Sequence, residues 1–124
     1  LKIAFLFAAF AGALGVVLGA FGAHALRGSI EPRLIETFQT AVQYQLIHAL
    51  ALLLVSLTMG WLGQSLSFEI SAYAFMAGII LFSGSLYGLV LTEMRWLGPV
   101  TPLGGLCFIV GWLALLVGGY RQIA

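Results

Sequence analysis

Every charged residue of this chain lies between, or at the ends of, four long apolar stretches. They run approximately Ile3–Ala23, Phe38–Leu62, Ile70–Thr92 and Pro102–Tyr120. Each holds about the 20 residues that a helix needs to cross the hydrocarbon of a bilayer. Only 7% of the 124 residues are charged, against roughly 25% in a soluble domain. Such a chain cannot maintain a water-facing surface, so the composition describes an integral membrane protein. The net charge of +1 and the lack of a basic patch argue against nucleic acid as a partner. The opening run continues for about 20 residues, past the roughly 7–15 of a signal-peptide core, and is read as a retained span. The lone Cys107 excludes an internal disulfide and sits in an apolar run, so a buried, inert thiol is expected.

The connections read as turns and caps. Arg27, Gly28 and Ser29 end the first span, and Pro32 suits the first position of the next helix. Leu34, Ile35 and Phe38 alternate with Arg33, Glu36 and Thr37, as in a short interfacial stretch leading into the second span. Gly63, Gln64 and Ser65 break the second span, and Glu69 falls in the first turn of the third. Gly98 and Pro99 end the third connection, with Thr101 as N-cap and Pro102 at the first position of the fourth helix. Short connections predict antiparallel neighbours and a single-domain, all-α, four-helix membrane bundle over residues 1–124. Trp61, Tyr73 and Tyr120 would anchor one interface and Trp96 the other. Trp112 falls mid-span, as core or as an outward contact. Lys and Arg number two on one side and three on the other, a bias too small to orient the chain.

Small residues mark the faces where helix backbones approach. Ala11, Gly15, Gly19 and Ala23 recur at steps of four in the first span. Gly104, Cys107, Gly111, Ala114 and Gly118 alternate steps of three and four in the fourth, the seam of a left-handed crossing. The third carries Ala74 with Gly78, and Gly84 with Gly88. Packing within the chain is the expected use, with an oligomer contact as the competing one. A faint internal repeat relates Ala11-Gly12 and Phe21-Gly22 to Ala77-Gly78 and Tyr87-Gly88.

The second span instead carries polar residues. Glu36, Gln39, Thr40, Gln43, Tyr44 and His48 follow a helical series along one face. A polar face is costly against lipid, so it is expected to turn into the bundle. His48 lies ~15 Å past Phe38, near the bilayer middle, with Gln45 three residues before it. Ser83, Ser85 and Tyr87 on the third span are its expected partners. An intramembrane histidine is a functional candidate, and the plain alternative is a neutral imidazole that joins helices. His24 ends the first span. A haem shared between His24 and His48 is disfavoured because the two lie ~15 Å apart in depth. Arg27, Arg33, Glu36, Glu93 and Arg95 gather at one interface, as hydrated charges or as a mouth leading toward His48. No nucleophile–base pair, phosphate loop, HExxH or CxxC appears, so no catalytic residue, metal or cofactor is assigned.

Several strings occur together in order: GAFGAHAL at Gly19–Leu26, YQLIHALALL at Tyr44–Leu53, LFSGSLY at Leu81–Tyr87, VTPLGG at Val100–Gly105, and Gly111-Trp112. Together they resemble the domain of unknown function 423 family, which includes the transmembrane protein 256 group. The resemblance implies a small four-span membrane protein, with a bacterial plasma membrane as the expected location, and brings no established activity. The function expected is a non-enzymatic accessory or assembly subunit of a larger membrane complex, or a homo-oligomer. Its partners would be the lipid bilayer, itself or other membrane subunits. Transport of a proton, ion or small solute along the polar face is the alternative, and a quinone- or haem-associated subunit a weaker one.

Overall fold

The computed structural model describes residues 1–123. Four helices, each long and apolar enough to cross a membrane, make up the chain, with no strand among the described residues. They are α1 (Lys2–Leu26), α2 (Pro32–Leu62), α3 (Leu66–Thr92) and α4 (Val100–Gln122). Pro32 opens α2, where its missing N–H has no intrahelical partner to lose. The stretch expected to be interfacial is therefore one continuous helix with the second span. The Ser65 hydroxyl caps α3 by accepting from the Phe68 N–H at 3.3 Å, and Glu69 lies in that first turn.

The start of the fourth helix differs from expectation. It begins at Val100 with Pro99 as N-cap, so Thr101 and Pro102 lie inside its first turn. The reason is a better partner: the Thr101 hydroxyl pairs with Ser85 of α3 instead of capping its own helix. Pro102 is tolerated because first-turn N–H groups have no acceptor within the helix. At the end of α3, Glu93 adopts a left-handed backbone with φ of 54°, and its N–H reaches the Leu89 carbonyl at 2.8 Å. That conformation is easy for glycine and strained for a side-chain-bearing residue. Glu93→Gly is expected to raise stability by about 1 kcal/mol, seen as a higher unfolding temperature in detergent.

Sequential helices are neighbours. α2 and α3 form the middle, and α1 and α4 flank them without touching each other. On α1, Ala4, Ala8, Ala11 and Gly15 are buried. A β-carbon on Gly15 would stand 2.6 Å from Leu46, one on Gly19 2.9 Å from Val42, and one on Gly22 3.1 Å from Phe38. The small residues of α1 are thus the floor on which α2 lies. Between α3 and α4 the fit is more regular. Phe68, Phe75 and Phe82, seven residues apart, sit against Gly118, Gly111 and Gly104, also seven apart. Phe108 reciprocates by filling the space over Gly78. The seven-residue spacing on both partners is that of a left-handed antiparallel crossing. Without a hydrophobic drive between helices in lipid, this close dispersion contact holds them. Gly84 faces open space and Gly88 takes Leu97 of the α3–α4 connection, so that glycine pair joins no helices.

Two wide π turns interrupt the α geometry, at Leu18–Gly22 in α1 and Ile79–Ser83 in α3. The offset of 66 residues that relates Ala11 to Ala77 would put the second turn at 84–88, so the turns do not follow the repeat. Cys107, expected buried, is half-buried. Trp61, Tyr73, Trp96 and Tyr120 are all exposed.

Candidate functional site

The polar series on α2 divides. Glu36, Gln39 and Gln43 are exposed on the outside of the bundle, Thr40 is half-buried, and Tyr44 lies at the edge. Gln45 and His48 are the ones inside, at 3% and 4% exposure. The expectation that the whole face turns inward is overturned, and helical geometry gives the reason. At ~100° per residue, His48 stands about 120° around the helix from Glu36, and Gln45 about 180°. The series is a broad arc, and only its His48 edge is covered, by Phe75 of α3 and by Phe108 and Trp112 of α4.

Gln45 joins three helices. Its Nε2–H donates to the Ala11 carbonyl of α1 at 2.8 Å, and its Oε1 accepts from the Tyr87 hydroxyl of α3 at 2.6 Å. Tyr87 in turn rests on Phe38, with ring centroids 5.3 Å apart. One turn earlier on α3, the Ser83 hydroxyl donates to the Ala41 carbonyl at 2.7 Å. Gln45→Leu would leave the Tyr87 hydroxyl unpaired and cut the tie to α1. The expected cost is about 2 kcal/mol, measured by unfolding in mixed micelles. Adding Tyr87→Phe removes the orphaned hydroxyl and should recover part of the loss.

His48 lies in an aromatic box. Its ring stacks on Phe108 at 3.6 Å between centroids, with Phe75 tilted against it at 5.6 Å and Trp112 edge-on at 5.8 Å. Both ring nitrogens have partners. Nδ1 lies 2.8 Å from the Tyr44 carbonyl, which can only accept, so Nδ1 carries the hydrogen. Nε2 lies 3.1 Å from the Trp112 indole N–H, which can only donate, so Nε2 is the acceptor. The two contacts together select a neutral imidazole and leave it no free position. A second proton, or an axial bond to a haem iron, requires Trp112 to leave.

Ser83, Ser85 and Tyr87 do not bond to His48. Ser83 and Tyr87 serve the α2–α3 contact, and Ser85 pairs with Thr101 between α3 and α4. Ser71 adds a second α3–α4 bond, donating to the Gly111 carbonyl at 2.8 Å. Among the described residues, no buried side-chain nitrogen or oxygen lacks a partner. The role of Trp112 was not readable beforehand; its position one turn after Phe108 on a shared face was the available signal. The seven-residue Phe series on α3 was legible in principle, beside the glycines of α4.

The interface residues gather apart from this interior. His24, Arg27, Glu93 and Arg95 are exposed. A cleft of about 390 Å³ is lined by Arg33, Leu34, Thr37, Leu89, Glu93 and Arg95. Along α2 its lining ends at Thr37, ~16 Å short of His48, so this mouth does not lead to the histidine. Arg33 pairs with Glu31 at 2.9 Å, and an exposed pair of this kind contributes little. Gly22 packs at the level of Phe38. His24 therefore sits at the membrane end, ~18 Å from the depth of His48.

Comparison with known proteins gives one family. The family described as protein of unknown function (DUF423) matches residues 18–105. UPF0382 membrane protein YwdK of Bacillus subtilis is 39% identical, over 99% of this chain and 100% of its own. UPF0382 membrane protein SAB0533 of Staphylococcus aureus is 42% identical over 87% of each chain. SH2409 of Staphylococcus haemolyticus, another UPF0382 membrane protein, is 38% identical over 89% of this chain and 88% of its own. No solved structure matches. With four membrane-length helices and full-length relatives that are membrane proteins, the chain belongs to the DUF423 family as a multi-pass integral membrane protein.

Proposed function

We propose that this protein is non-enzymatic and works by lateral helix–helix contact in a bacterial plasma membrane, as an accessory or assembly subunit. The supporting observation is how the interior polar groups are used. Gln45, His48, Ser71, Ser83, Ser85 and Tyr87 each bond to another helix or to the backbone. Such an interior is built for rigidity, and it leaves the long outward faces of the helices for contacts in the plane of the membrane. Transport has less support, because Glu36, Gln39 and Gln43 turn away from the interior that would be its path. The test is gentle extraction from native membrane, followed by mass determination of the intact assembly. A defined assembly larger than one chain is expected. A protein that always runs as a lone monomer overturns the proposal. Solute flux in liposomes, carried by the wild type and lost in His48→Ala, would favour transport instead.

A further inference from the structure

The outward side of α2 has an order of its own. Glu36, Thr40, Gln43, Ile47, Leu50, Leu54, Leu57 and Trp61 follow alternating steps of four and three without a break. This is the a/d spacing of a left-handed helix pair. At ~100° per residue, these positions centre roughly opposite the buried stripe of Phe38, Ala41, Gln45 and Leu52. The apolar members from Ile47 to Trp61 are 45% to 77% exposed. Among the described residues no helix covers the seam from Gln43 to Leu54, and at Leu57 and Trp61 it borders a groove shared with Lys2, Phe5 and Leu6 of α1.

Gln43 makes the seam more than a lipid-facing surface. It lies seven residues, or ~10 Å, past Glu36, the last charge before the apolar stretch. Its amide is exposed there. Lipid tails offer it neither donor nor acceptor, and such groups in membrane helices bond across to another helix.

We infer that this seam binds a second copy of the chain, α2 against α2, about a two-fold axis along the membrane normal. Three features select a second copy. Two copies in one membrane share orientation, so each Gln43 meets its counterpart at the same depth. An amide both donates and accepts, so the pair satisfies itself reciprocally, as an isologous contact requires. At the layer of Ile47 (a) and Leu50 (d) the seam has the two-stranded preference, and Leu54 and Trp61 are the a residues of the layers that follow. The assignment rests on the lateral-contact function proposed above and names its partner.

Cross-linking in native membranes tests it, using the full chain with Cys107→Ala as background. Ile47→Cys, Leu50→Cys and Leu54→Cys are each oxidised, with Leu113→Cys and Leu116→Cys on the exposed face of α4 as controls. Disulfide-linked dimers are expected at the three seam positions and several-fold less at the controls. Gln43→Leu, which removes no bond within the monomer, should weaken association on the order of threefold to tenfold. Equal cross-linking at the controls, or no dimer at any seam position, overturns the assignment. Seam cysteines captured by a different protein also overturn it, while leaving the lateral-contact function standing. A lone monomer on gentle extraction removes both.

Discussion

Gly104→Ala is expected to separate α4 from α3. The added β-carbon would collide with the backbone nitrogen and Cα of Phe82, and a backbone cannot move aside by changing rotamer. Overpacking a tight site costs about 1–3 kcal/mol, and this substitution belongs at or above the top of that range. Gly111→Ala is the informative comparison. There the new carbon would stand 2.5 Å from the Phe75 ring, which is a side chain and can be shortened. Phe75→Leu should therefore rescue Gly111→Ala in a double-mutant cycle, whereas Phe82→Leu should not rescue Gly104→Ala. Unfolding midpoints in mixed micelles give all the values needed. Full rescue at both sites would mean that the α3–α4 contact is made by rings alone. No loss at either would mean that the helices do not pack in this register.

His48→Ala is the second large effect. It empties the space between Phe75, Phe108 and Trp112 and leaves the indole N–H without its acceptor. The cavity and the orphaned donor together should cost about 2–4 kcal/mol. Trp112→Phe keeps most of the ring and removes the donor, so alone it should cost about 1 kcal/mol. Because the two residues share one bond, the double substitution should cost less than the sum. Strict additivity would show that the Trp112–His48 bond does not form in the membrane. A His48→Ala protein of unchanged stability would contradict the structural role assigned to the imidazole.

Much of the architecture could be read from the sequence because the bilayer permits few answers. Within hydrocarbon each span must satisfy its own backbone, and the placement of Lys2, Arg27, Glu69, Glu93 and Arg121 marks where spans end. The small-residue series Ala11–Gly15–Gly19 and Gly104–Gly111–Gly118 are likewise where two backbones come close, since only a missing side chain allows it. Thr101 shows the limit of local rules: a capping residue in the right place left its cap for a hydroxyl on a neighbouring helix.

The candidate site was harder to read. His48 stood out because an ionisable group deep in an apolar span is rare, but its partners came from elsewhere than expected. Trp112 and Phe108 reach it from α4, a helix that touches α2 only lightly. Gln45, given little weight beside the polar series, holds three helices together.

By itself, the sequence determined the four helices, their antiparallel order and the small-residue seams of α1 and α4. Those follow from backbone hydrogen bonding and residue volume, which act locally. Only the tertiary structure decided how α2 is turned about its own axis. Gly15, Gly19 and Gly22 receive Leu46, Val42 and Phe38, and those three contacts rotate Glu36 and Gln43 to the outside. The rotation of a helix depends on the shape of its neighbours, and its own polar pattern does not contain that shape.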